Sequence, residues 1–436
     1  MKFKLVSNLI VSALLVVGSA TLFANQQQIS DNYNNELSRL NQQVISLQRI
    51  AFDRPISWVH QERLANVLLE RARLTGKTDD YLEAQSVIKR AFEIADGKGG
   101  PFLTRAALNF SMHRLPEIEA DLVAAESALL VDKGTKGVIA ELRADVMFNS
   151  GEYKQAKESY DKSELTKPST NTAIKLAFYS IATAQYDVAE SWFVKAEERS
   201  ENGSEQLRAW LKLQRGILNL EQGRYKEAQR FYAKAQSIFP GHWLIEEHIA
   251  EIDVLLGNNK KSKQSYLDLI KRTNSPLFMD ALASILYKQD SARENAEAKM
   301  WMQRANSGFK LAMTFAPELI SGHALDFFLQ SDDELQLALT LAKQNYQLRP
   351  AGPAAVTLAQ AYALHGQYSH ALDLLEGVLA GPFRSPTLHA TAYAIYHQLD
   401  QTLEADKQMV LAKNLNPVAI DDIDWLNDRL KSTASN

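Results

Sequence analysis

Residues 239–257 read FPGHWLIEEHIAEIDVLLG and bring His242, Trp243, Glu247, His248 and Glu251 into one stretch. Read as a helix, Glu247 and Glu251 stand four residues apart on one face with His248 beside them. A histidine and a carboxylate three residues apart on a helix can hold one ligand between them, which opens a metal-binding or hydrolytic reading for His248 and Glu251. Downstream, FMDALAS supplies Asp280, and GHALDFF supplies His323 with Asp326 three residues on, the same spacing again. The plainer reading is an acidic wall whose histidines cap or hydrogen-bond within a stack of helices. No second motif favours catalysis: the lysine of GKGG at 97–100 is not followed by Ser or Thr, and HExxH, G-x-S-x-G and paired cysteines are absent from the sequence.

The elements that position these residues must come from a chain of 436 residues, too long for one compact core unless it grows by stacking. Its net charge is −4 with both signs interleaved, so no basic face for a phosphate backbone is expected and nucleic acid is not an expected partner. Cysteine is absent from the sequence, which excludes disulfides, thiolate metal sites, a cysteine nucleophile and the acylated cysteine of a lipoprotein. The chain starts MKFKLVSNLIVSALLVVGSATLFANQQQ: Lys2 and Lys4, an apolar run from Leu5 to Val17, then small residues. That pattern reads as a secretory signal peptide over 1–24, cleaved after Ala24 with Ala20 as the next choice, and it places the protein in the periplasm or outside the cell. An uncleaved anchor from Leu5 to Leu22 is the rival, diluted by Ser7, Asn8, Ser12 and Ser19. Contact with a membrane is expected only through this leader.

The middle of the chain repeats itself. Gly151, Gly223, Gly257 and Gly366 each follow a helical stretch; Tyr153, Tyr225 and Tyr368 come two residues later, with Tyr186 in that slot where Ala184 replaces the glycine. Ala156, Ala189, Ala228 and Ala371 follow, then Tyr160, Phe193, Tyr232 and Tyr266, and Pro168, Pro240, Pro350 and Pro417 close their units. The spacing is about 34 residues. A glycine past a helix end can take the left-handed conformation that turns the chain back. Small residues such as Ala144, Ala177, Gly216, Ala250 and Ala359 let two helices approach, the aromatics fill the wedge between them, and the proline stops the second helix.

This pattern resembles the tetratricopeptide repeat, a family of helix-turn-helix solenoids. The resemblance is strong at 137–168, 209–240 and 352–383, fair at 170–201, 243–275 and 386–417, and weak at 61–134 and 276–350. Ala140 and Lys212 depart from the bulky residue usual early in the first helix. The resemblance implies an all-α, right-handed superhelical solenoid of antiparallel helix pairs, nine or ten in number. Its organisation reads as N-terminal capping helices at 25–60, degenerate repeats at 61–134, repeats at 135–275, irregular repeats at 276–350, repeats at 351–417, and a C-terminal capping helix and tail at 418–436. In the cap, Trp425, Leu426 and Leu430 form the inner stripe.

First helices line the concave groove in this family, and by phase Glu247 and Glu251 point into it, with Trp243, His248, Asp280, His323 and Asp326 on or near the same wall. Alternate first helices lie roughly 20 Å apart, so His248 and His323 are too distant to bind one ion directly. Ile174, Phe178, Leu213 and Ile217, with Trp210 at the entrance, mark an apolar groove suited to an amphipathic helix or extended peptide with a basic end, unless they belong to the core between helices. The family's carboxylate clamp does not carry over to Trp210, Leu213, Glu247 and Glu251. The remaining histidines, including His365 and His370, read as surface residues, and Trp58, Trp192, Trp301 and Trp425 as packing residues. The function expected is an exported scaffold or adaptor holding a protein or peptide partner for an envelope assembly or export process, with no enzymatic activity, cofactor or metal. A metal-binding or hydrolytic protein and a self-associating solenoid are the alternatives.

Overall fold

The computed structural model describes residues 33–95, 99–127, 132–287, 292–421 and 424–433, so the expected leader and its cleavage site lie outside the described residues. After α1 (Tyr33–Asp53) come helical hairpins: α2/α3 (Trp58–Thr75, Thr78–Ala95), α4/α5 (Phe102–Ser111, Leu115–Glu126), α6/α7 (Lys133–Asn149, Tyr153–Thr166), α8/α9 (Thr170–Ala182, Tyr186–Arg199) and α10/α11 (Glu205–Leu220, Tyr225–Ile238). The series continues with α12/α13 (Trp243–Leu255, Asn259–Thr273), α14/α15 (Pro276–Tyr287, Ala292–Phe315), α16/α17 (Pro317–Leu329, Leu335–Leu348), α18/α19 (Gly352–Leu364, Tyr368–Ala380) and α20/α21 (Pro386–Gln398, Thr402–Leu415), and ends at α22 (Asp424–Thr433). No strand occurs among the described residues, and the all-α solenoid that the repeats imply is the fold observed.

Local chemistry explains each hairpin. Ser169, Ser204 and Ser385 accept the backbone N–H three residues on, capping α8, α10 and α20, and Pro317, Pro353 and Pro386 open their helices at positions that need no N–H. Turns inside several hairpins are left-handed: φ is +81° at Gly151, and Ala184 and His113 hold the same conformation at +54° and +62° despite their side chains. Ala156, Ala189, Ala228 and Ala371 are fully enclosed. Gly216 shows why small residues face them, since a Cβ there would lie 2.2 Å from the ring of Tyr232. Trp425, Leu426 and Leu430 are buried beneath the last hairpins, closing the C-terminal end.

The path of the superhelix brings the chain back onto itself about one turn later. The amide of Gly352 donates to the Tyr153 hydroxyl at 3.1 Å, across 199 residues, and the Tyr153 ring stacks on Phe383 at 5.9 Å. The Arg384 amide donates to the Ala182 carbonyl at 2.9 Å. Arg114 pairs with Glu318 at 3.4 Å, and the Trp243 indole donates to the Leu74 carbonyl at 3.1 Å. In each case a turn or helix end of the first half meets one in the second half, so successive coils touch instead of standing open.

This closure corrects the expected groove. Leu213 and Ile217 pack in one cluster with Leu40 of α1 and Leu74 of α2, and α1 runs against α2 while its first residue reaches the turn between α11 and α12, where the Tyr33 amide donates to the Pro240 carbonyl at 3.4 Å. Tyr33, at the start of α1, meets the rings of Phe239 and His242. Ile174, Phe178 and Trp210 are enclosed in the main core that also holds Val356, Phe383 and Leu388 of the next coil. Glu247, His248 and Glu251 are 2%, 2% and 0% exposed, so they form no open acidic wall. The expected partner surface at these positions is covered by the chain itself.

Replacing Tyr153 by Phe keeps the ring but leaves the Gly352 amide without its acceptor. A loss of about 1–3 kcal/mol is expected in urea unfolding, together with faster hydrogen exchange at Gly352.

Candidate functional site

Where the two coils meet they leave a cavity of about 150 Å³. The ends of α4, α6 and α8 and the start of α7 supply one side; α16, the end of α17 and the starts of α18 and α20 supply the other. Phe148, Tyr153, Phe178 and Phe383 make aromatic walls, and His113, His323 and Arg349 bring nitrogen donors and acceptors to the same space.

Arg349 is the main charge in this cavity. One guanidinium nitrogen lies 3.1 Å from His113 Nδ1 and another donates to Asn345 Oδ1 at 2.6 Å. Arginine can only donate, so His113 accepts through Nδ1 and carries its proton on Nε2. Among the described residues no carboxylate forms an ion pair with Arg349. Burial pushes the guanidinium down to about 10, with no opposing anion to hold it up. The same burial holds His113 well below the usual histidine range, and Arg349 and His323 add to the shift. His323 is lowered by burial too, with Asp326 opposing and Arg349 reinforcing. Glu221 also lines the space, but its charge acts on Tyr186 and Tyr232. Arg384 is committed to the carbonyls of Leu379, Gly381 and Phe383. Arg349 therefore has donors to spare in a setting where an anion would be desolvated and strongly held.

Of the residues singled out by sequence, Phe178 and His323 reach this cavity, although from different expected surfaces. Ile174, Trp210, Leu213 and Ile217 lie in the core, while Trp243 packs on Gly76 and ties α12 to the end of α2. Glu247, His248 and Glu251 form a separate buried cluster in which His248 Nδ1 is 3.1 Å from Glu251 and 3.5 Å from Glu247. Burial pushes Glu247 up to about 7, with His248 opposing and Glu251 reinforcing. Asp280 is pushed up to about 7 by burial and then by Asp326, its Oδ1 enclosed without a hydrogen bond. Asp326 thus stands near enough to act on both Asp280 of α14 and His323 beside the cavity, and His248 and His323 remain in different clusters.

The sequence reading missed His113 and Arg349. His113 was placed among surface histidines, whereas it is 8% exposed and turned inward. One signal was present: a histidine stands in the left-handed turn slot that glycine fills in the clear repeats. Nothing local marks Arg349, because its partner His113 is 236 residues away. His389 is likewise buried and pairs with Gln408 at 2.7 Å.

Solved structures similar to the chain include a tetratricopeptide repeat protein from Parabacteroides merdae, at 20% identity over 58% of this chain and 97% of that one, with a TM-score of 0.37. Human IFIT1 as a dimer with PPP-AAAA gives 14% identity, 98% and 100% coverage and a TM-score of 0.43. The APC/C heterotetramer Cut9–Hcn1 gives 14%, 97% and 99%, and 0.33. No family model and no curated protein matches the chain.

Asp280 offers a test of this burial. Its folded pKa lies above the unfolded one, so its contribution to stability is lost as pH rises from the ordinary aspartate range through about 7. Asp280→Asn removes that loss. The melting temperature of the variant relative to the native chain should climb between about pH 4 and 7 and level off above. A constant difference across that range would contradict the assignment.

Proposed function

We propose that the chain is an exported, non-catalytic binding solenoid that takes the carboxylate-bearing end of a protein or peptide partner into the cavity between its coils. The observation that carries this reading is Arg349, a largely desolvated cation whose hydrogen-bond partners, His113 and Asn345, are both neutral. A carboxylate would complete the guanidinium fork, and the aromatic walls would take an apolar terminal side chain. The cavity, with aromatic walls gathered around one guanidinium, suits the carboxylate end of a chain. The sign of the expected partner is thereby reversed from the sequence reading: the open charge is positive, and the carboxylates that suggested a basic ligand are buried.

The leader-like residues 1–24 support export, and a role in an envelope assembly or export process fits a binding protein delivered there. Protein recovered from a periplasmic fraction should begin at Asn25, and an N-terminus at Met1 would contradict cleavage.

Peptides ending in phenylalanine with a free carboxylate should bind at least about tenfold more tightly than the same peptides as C-terminal amides, measured by calorimetry. Arg349→Met, which keeps the apolar stem, should erase the difference. Equal binding of acid and amide, or an unchanged preference in the variant, would contradict the reading.

A further inference from the structure

The buried cluster on α12 is separate from the cavity and has its own geometry. Glu247, His248 and Glu251 are all enclosed, and one donor atom from each lies within 4.8 Å of the others. His248 Nδ1 stands 3.1 Å from one carboxylate and 3.5 Å from the other. Those spacings bracket the edge of about 3.4 Å expected between ligands around a tetrahedral ion with bonds of about 2.0–2.1 Å. Two carboxylates on adjacent turns of one helix, out of water, repel each other unless something positive lies between them.

Other buried groups in the same place lack partners. Glu247 Oε2 and the hydroxyls of Tyr232 and Tyr266 are enclosed without a hydrogen bond. Both tyrosines are fully buried. The Tyr232 ring stacks on His248 with centroids 5.4 Å apart, and both hydroxyls lie close enough to sense the charges of Glu247 and Glu251. Buried polar atoms in native structures are nearly always satisfied, so several orphans around one carboxylate–imidazole set point to a bound species at the centre.

We propose that Glu247, His248 and Glu251 bind a divalent first-row transition-metal ion of the zinc class as a structural tie within the inner wall, with a tyrosine hydroxyl or a water as a further ligand. Mixed oxygen and imidazole donors suit zinc, iron or manganese, whereas calcium asks for six or more oxygens and magnesium for an octahedral shell. The enclosure of the cluster means that the ion enters during folding, so the metal contributes to stability directly.

The test uses the full chain, unfolded with a chelator and refolded with zinc, with cobalt or without metal. About one equivalent of zinc per chain is expected, with a melting temperature several degrees above the metal-free form, and cobalt should give visible ligand-field bands. His248→Gln and the double variant Glu247→Gln/Glu251→Gln preserve size and hydrogen bonding; with helical content checked by circular dichroism, each should weaken binding by more than about 100-fold and remove the cobalt bands. A native chain that refolds identically with and without metal and retains none would overturn the proposal in favour of a shared proton. Equal metal uptake by folded glutamine variants would overturn it in favour of adventitious surface binding.

Discussion

The fold depends on the chain meeting itself one superhelical turn later. A stack of hairpins satisfies most of its hydrogen bonds and buries most of its apolar surface between neighbours, which leaves the relative placement of distant hairpins to small rotations added along the series. Here those rotations bring the start of α7 against the start of α18 and the end of α8 against Arg384, and the junction is sealed by the Tyr153 hydroxyl, its ring on Phe383, and a backbone bond to Ala182. Contacts of this kind convert a flexible spring into a closed body. They also decide what remains open: Leu213 and Ile217 of α10 are buried in a cluster with Leu40 of α1, and the cavity around Arg349 lies between the coils.

Charge follows the same division. Carboxylates and histidines run along the first helices from α12 to α16, but most are desolvated, and the structure answers with local arrangements rather than a uniform acidic surface. At Glu247, His248 and Glu251 the groups face one another; at Asp280 a proton is favoured; at His113 and Arg349 a neutral imidazole leaves a cation exposed to the cavity. A ligand entering there would gain both from the guanidinium and from aromatic surface already gathered by the junction.

The repeat grammar was legible because each of its parts acts within one hairpin. Gly151, Ala156, Tyr160 and Pro168 report on a turn, a close approach, a wedge and a stop, and all four meanings survive in the structure. The adjacency of Glu247, His248 and Glu251 could also be read, since it is fixed by helical spacing. Their burial could not. It depends on Tyr232, Tyr266 and the hairpins around them, while the burial of Leu213 depends on Leu40 from the other end of the first coil. Arg349 and His113 were invisible for the same reason: their meeting depends on superhelical pitch, which no single repeat encodes.

The contact between coils can be measured directly in solution, helped by a sequence without cysteine. Spin labels on Lys154→Cys and Ala380→Cys, both exposed and on opposite sides of the junction, report the gap by pulsed electron resonance. One narrow population at short distance is expected. A broad distribution or a long separation would show the coils standing apart, and with them the cavity and its cation would lose their basis.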